Sequence, residues 1–276
     1  MKKHSSSGFD ISFYAEVADE CPLWSAPFGL KLLDRIDYRK NIKALDIGYG
    51  TGFPLTEIAL RLGESSMVYG IDPWDEARER ALKKISFFRI NNITLLKGQA
   101  ESIPLGDSFL ELVTSNNGIN NVDDTGKVIS ECYRVLKPGG QFIFTYNLDR
   151  TMFEFYDQLE NALRESGMHH EIELMHRHIH EKRKPLDEMM QLVNAHGFTI
   201  KDMEHDQFNY RFADGSAMLN HYFIRLAFMD SWLRLLPADR SEEIFGMVEE
   251  RLNNIAEMLK GISLSIPFVL INAYKN

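Results

Sequence analysis

Two acids and three glycines carry most of the chemistry that can be read from this chain. Asp46 stands in the apolar run Lys43-Ala44-Leu45-Asp46-Ile47, and Gly48, Gly50 and Gly52 alternate directly after it. Asp72 closes a second apolar run, Val68-Tyr69-Gly70-Ile71, about twenty residues beyond the last of these glycines. Alternating glycines between a strand and a helix supply positive φ and let a ligand touch bare backbone. A carboxylate at the end of the neighbouring strand can accept both hydroxyls of a ribose. The pattern therefore predicts a nucleotide-type site at the edge of a parallel sheet.

The elements that position these residues follow from periodicity. Ala44, Leu45 and Ile47 read as a buried strand, and Leu55, Ile58, Ala59 and Leu62 recur at helical spacing up to a stop at Gly63. Pro54 suits the first turn of that helix. Val68 to Ile71, Ile93 to Leu96 and Leu110 to Ser115 read as further strands. Val128, Ile129, Cys132, Val135 and Leu136 predict a helix, which Lys137-Pro138-Gly139-Gly140 stops before a fifth strand, Gln141 to Tyr146. In such a sheet ligands sit beyond the carboxyl ends of the strands. The polar loop Asn116-Asn117-Gly118-Ile119-Asn120-Asn121 therefore faces the same ligand, although an asparagine-rich turn is also just a turn.

The glycine spacing separates two ligands. A dinucleotide fingerprint, G-x-G-x-x-G, would need its third glycine at Phe53. With G-x-G-x-G after Asp46, Gln99-Ala100-Glu101 after the third strand, and the run R-V-L-K-P-G-G from Arg134 to Gly140, residues 40–150 resemble the class I S-adenosylmethionine-dependent methyltransferases. The resemblance is strongest to the small-molecule branch that includes ubiquinone and menaquinone biosynthesis enzymes. It implies an α/β fold with a Rossmann-like, seven-stranded, mostly parallel sheet, its last strand antiparallel, helices on both faces and a helical lid or cap. It implies S-adenosyl-L-methionine as cofactor. Asp46, Gly48, Tyr49, Gly50, Thr51 and Gly52 would wrap its methionine half, and Asp72 would bind its ribose. Pro73, Trp74, Gln99, Ala100 and Glu101 would flank the adenine, and Asn116, Asn117 and Gly118 would meet the amino group. Gln99 stands where the family more often has an acid, and the rival reading is that it only closes a turn.

Composition bounds the partner. A formal net charge of −9 disfavours a nucleic-acid substrate, which needs a basic surface. Two cysteines, Cys21 and Cys132, are too few for a disulfide framework or a zinc site. No signal peptide is evident, and Ile262–Tyr274 is too short to span a bilayer, so a cytoplasmic location is expected. The histidines at 169, 170, 176, 178 and 180 lie among Arg177, Lys182, Arg183 and Lys184. They read as a charged, solvated segment, and no metal is expected.

Substrate choice must lie in the flanks. Phe9 to Ile36 reads as two helical pieces broken near Pro22 and Pro27, a lid over residues 1–40 from which Tyr14 or Trp24 would touch the cofactor or simply pack. Residues 41–213 form the cofactor domain. Residues 217–236 and 241–260 read as two helices of a cap insertion over 214–260, longer than an ordinary connection, and 261–276 as the final strand. The acceptor would be a small molecule attacked through O or C, aligned in a water-poor pocket. His221, Tyr146 and Asn120 are candidates for a base, with packing as the rival role for His221. A cofactor-binding protein without catalysis and a nicotinamide-dependent oxidoreductase are the alternatives. The residues do not decide the oligomeric state.

Overall fold

The computed structural model describes residues 23–276. After α1 (Ser25–Asp34), strands and helices alternate: β1 (Lys43–Ile47), α2 (Leu55–Leu62), β2 (Met67–Ile71), α3 (Asp75–Phe87), β3 (Ile93–Leu96), β4 (Leu110–Asn116), α4 (Thr125–Val135) and β5 (Leu136–Asn147). Then follow α5 (Phe153–Glu165), α6 (His169–Lys182), α7 (Leu186–Ala195), β6 (Phe198–Phe212), α8 (Gly215–Asn220), α9 (Tyr222–Ile224), a π turn (Arg225–Met229), α10 (Asp230–Leu233), α11 (Ser241–Leu259) and β7 (Ile262–Lys275). The strands form one seven-stranded sheet in the order β3-β2-β1-β4-β5-β7-β6, with the last strand antiparallel. The pairs β1/β2, β1/β4, β2/β3 and β4/β5 are parallel. The order reverses between β1 and β4, which makes their carboxyl ends the switch point where ligands bind in open sheets.

Burial explains the pattern of the first strands. Ala44, Leu45, Asp46 and Ile47 are all buried, as expected of a central parallel strand covered on both faces. Leu55, Ile58, Ala59 and Leu62 turn inward from α2, and Gly63 ends that helix at φ 73°. Asp124 caps α4 by accepting the Lys127 N–H at 2.9 Å. Arg134, from the R-V-L-K-P-G-G run, does more than end a helix. Its guanidinium donates to the carbonyls of Ile103 and Leu105 and to Glu131 and Asp107, pinning the loop after β3.

Three expectations are corrected. Pro27 does not break a helix but sits in the first turn of α1, where its missing N–H has no partner to lose. Lys137-Pro138-Gly139-Gly140 lies within β5: Leu110 pairs with Leu136 and Leu112 with Gln141, so the intervening residues bulge out of the ladder. The helix expected over 217–236 is interrupted. Asp214 caps α8 through the Ala217 N–H at 2.7 Å, His221 is extended, and the chain then passes through the π turn.

The chain divides into two compact units. Of the described residues, the first holds those up to Tyr146 together with Asp187–Glu204 and Val269–Asn276; the second holds Asn147–Leu186 and His205–Phe268. Among the described residues no helix is long and apolar enough to cross a membrane.

Candidate functional site

A cavity of about 430 Å³ opens in the first unit beyond the ends of β1, β2 and β3, within the range of small-molecule sites. Its floor is nearly bare backbone. A Cβ on Gly118 would stand 2.7 Å from the Ile47 carbonyl oxygen and 2.9 Å from Ser115 Oγ, and one on Gly48, at φ 75°, would stand 3.0 Å from Gly118 Cα. The two loops cross there only because both residues lack side chains. Asp72 stands on the wall. Its Oδ2 accepts the Gly50 N–H at 2.8 Å and its Oδ1 the Trp74 N–H at 2.9 Å, so the glycine loop itself holds the carboxylate in place. Trp74 is 53% exposed beside it, and Gln99, Ala100 and Glu101 line the same cavity. Glu101 Oε1 also accepts the N–H groups of Asp123 and Asp124, at 3.0 and 3.4 Å, tying down the opposite rim.

Behind the floor lies a layer of buried polar groups. Asp46 is 0% exposed; Thr114 Oγ1 donates to its Oδ1 at 2.7 Å, and its Oδ2 has no partner among the described residues. Burial pushes its pKa up to about 7; the Asp72 charge adds to this and the Thr114 hydroxyl opposes it. The Tyr49 ring lies over Gly70, where a Cβ would come within 2.8 Å of it, which is why an interior strand position carries glycine. Burial, then the Asp72 charge, pushes the Tyr49 phenol up to about 12. Asn116 ties α1 to this layer, donating through Nδ2 to the Ser25 carbonyl at 3.0 Å. The Phe53 ring lies against Gly29 of α1, where a Cβ would stand 2.3 Å from it.

Eight of the expected residues thus meet around one cavity: Gly48, Asp72, Pro73, Trp74, Gln99, Ala100, Glu101 and Gly118. Asp46, Tyr49, Gly50, Thr51, Gly52, Asn116 and Asn117 do not line it, although the Gly50 N–H holds the Asp72 carboxylate. Tyr14 falls outside the described residues. Asn120 lies in the short 3₁₀ turn Ile119–Asn121, and Tyr146 is buried at the end of β5. His221 belongs to the second unit, where its ring packs edge-on against Phe212 at 5.4 Å. Asn121 and Val122, from the loop expected to face the ligand, also line the cavity, as do Ile47, Ile71 and Asp123, which were not expected as site residues. Only the position of the turn signalled them. In the second unit, α6 carries the histidine run on a helix; His176 Nε2 lies 2.9 Å from Glu160 Oε2.

The comparisons with known proteins fall on the same stretch. Residues 45–144 match the methyltransferase-domain family. The resemblance to class I S-adenosylmethionine-dependent methyltransferases of the quinone-biosynthesis type therefore stands. The demethylmenaquinone methyltransferase of Geobacillus sp. (strain WCH70) is 32% identical over 123 residues, covering 45% of this chain and 53% of that protein. The chain spans about half the length of the curated relatives it matches. Among solved structures, the YcgJ protein of Bacillus subtilis superposes with a TM-score of 0.58 at 22% identity, over 90% of this chain and 97% of that one. Phosphoethanolamine N-methyltransferase 2 of Haemonchus contortus, solved with S-adenosyl-L-methionine, gives a TM-score of 0.54 at 20% identity, over 90% of this chain and 52% of that one. At these identities the structural likeness speaks for the fold alone, the seven-stranded Rossmann-like fold of methyltransferases.

Proposed function

We propose that this protein is an S-adenosylmethionine-dependent methyltransferase that modifies an O or C nucleophile of a small molecule. The observation that carries the reading is the Asp72 carboxylate, held by two backbone N–H groups on the wall of a cavity whose floor is two facing glycines. The residues suit the cofactor. Asp72 keeps acceptor capacity for the two ribose hydroxyls. Trp74, Gln99 and Ala100 offer a flat apolar face and an amide for the adenine. Gly48 and Gly118 leave room for the methionine half. The family match over residues 45–144 and the cofactor held by the Haemonchus enzyme support the assignment.

The bound cofactor supplies an electrophilic methyl group on a sulfonium. What the chain adds is alignment, worth roughly 7–11 kcal/mol in favourable cases, and exclusion of water. Tyr146 and His221 remain the proposed groups for accepting a proton from the nucleophile, and Asn120 the proposed group for orienting it through a hydrogen bond. The formal charge of −9 supports a small acceptor over a nucleic acid. Acceptor choice resides outside residues 45–144, because that stretch is occupied with the cofactor.

The test is calorimetric titration with S-adenosylmethionine and with NAD, followed by labelled-methyl transfer to an extract of small metabolites. Binding of the first alone, weakened about tenfold or more in Asp72→Ala, and a labelled product are expected. Binding of NAD alone overturns the cofactor assignment. Cofactor binding without any labelled product favours a binding protein over an enzyme.

A further inference from the structure

In the second unit, a largely buried guanidinium has no ion-pair partner among the described residues. Arg183 follows the last residue of α6, its N–H donating to the Ile179 carbonyl at 2.9 Å, and the residue is 6% exposed. Its Nη1 is fully buried with no hydrogen-bond partner, and no carboxylate pairs with the guanidinium among the described residues. A guanidinium stays charged in any protein interior, and a lone buried charge is strongly unfavourable. The contact to the Tyr156 ring, 5.9 Å from Cζ to the centroid, compensates only in part. Tyr156 adds a second unmet donor. Its hydroxyl oxygen accepts the Trp232 Nε1–H at 3.1 Å, and its own proton has no acceptor among the described residues. A nearby His178 does not help: burial, then the charges of Arg183 and Lys182, lowers its pKa and favours the neutral ring.

We propose that Arg183 and Tyr156 form an oxyanion-binding site in the second unit, which takes the carboxylate or phosphate group of a small organic ligand. A buried water could satisfy Nη1 as a hydrogen-bond acceptor but would leave the charge uncompensated. A planar or tetrahedral oxyanion does both, since two of its oxygens match the guanidinium fork, and Tyr156, whose ring lies 5.9 Å from the guanidinium, carries the neighbouring donor. Tyr156 is well held for this role, with Trp232 bonded to its oxygen and stacked on Phe155 at 3.8 Å. The proposal is independent of methyl transfer.

The experiment is thermal unfolding of the full chain with sodium phosphate or sodium benzoate, against sodium chloride at equal ionic strength. A saturable rise in Tm with at least one probe, absent in Arg183→Met, is expected, and the stronger probe assigns the head group. Ligand-free Arg183→Met should itself melt above the parent protein, because the unpaired charge is gone, whereas an arginine that only supports the fold would give a lower Tm. Tyr156→Phe and Arg183→Lys should each bind the probe about tenfold more weakly. Arg183→Lys keeps the charge and loses the fork, so it decides the matter should the methionine variant not fold. The proposal is overturned by no saturable response to either probe, or by an unchanged response in Arg183→Met or Arg183→Lys.

Discussion

The cavity of the first unit is assembled at strand ends and in the turns that follow them, whereas the interior of the second unit is made of long side chains that meet from separate helices. In the first, Gly48, Gly118, Asp72 and Ala100 each lie at the end of a strand or in the turn that follows it. In the second, Phe155, Trp232 and Phe228 stack and Tyr156 meets Phe155 and Trp232 edge-on, a group drawn from α5, the π turn and α10. The difference is one of where specificity is stored. Backbone geometry is written into a few adjacent residues, and side-chain packing is written across long stretches of chain. The two units also handle buried charge differently. Asp46 can neutralise itself by taking up a proton, while Arg183 cannot lose one.

The sharpest test of that contrast is the pH dependence of stability. With the folded pKa of Asp46 near 7, well above the ordinary value, the folded state favours the neutral acid. Its contribution is fully present below about pH 4 and is lost as pH rises through about 7. Asp46→Asn keeps the oxygen that accepts from Thr114 and cannot ionise. The gap between the variant's unfolding free energy and that of the parent should widen between pH 4 and 7 by an amount on the order of 4 kcal/mol, then level off. Chemical denaturation across that range measures it. Parallel curves for the two proteins would mean that Asp46 is charged and paired, and the contrast with Arg183 would fall.

A smaller effect is expected from Gly118→Ala. The residue has an ordinary helical φ of −71°, so the backbone tolerates a side chain, and only space forbids it. The new methyl meets the Ile47 carbonyl at 2.7 Å, a backbone atom that cannot swing away. About 2 kcal/mol of stability should be lost and cofactor affinity should fall about tenfold, read by denaturant unfolding and calorimetry. Full affinity in the variant would show that the floor is not made by this crossing.

These contrasts also mark what could be read in advance. The glycine run, Asp72 and the segment Gln99–Glu101 were legible because each is local: a strand end fixes where the next two or three residues face. The succession of strands followed from the same alternation of runs, but their order in the sheet did not. Which asparagine reaches the cavity was not legible, since a single 3₁₀ turn decides between Asn120 and Asn121 and both have the same chemistry. Pro27 was misread because a proline two residues into a helix looks in sequence like one that ends it. The pairing of Lys137–Gly140 into β5 needed a partner strand to be seen. Arg183 and Tyr156 lie on different elements, and nothing in either local sequence says that the guanidinium arrives without an acid.

The comparison can finally be sharpened from the second unit with Trp232→Phe. Phenylalanine keeps an aromatic face for Phe155 and Phe228, which stack on Trp232 at 3.8 and 5.6 Å, but loses the Nε1–H that bonds to Tyr156. It also leaves a small void, because Trp232 is fully buried. One net hydrogen bond and the missing ring atoms together should lower stability by about 2 kcal/mol. If the units store specificity separately, the affinity for S-adenosylmethionine should stay within about twofold of the parent value. A tenfold loss of cofactor affinity, with the same modest loss of stability, would show instead that aromatic packing in the second unit helps to set the backbone geometry of the first.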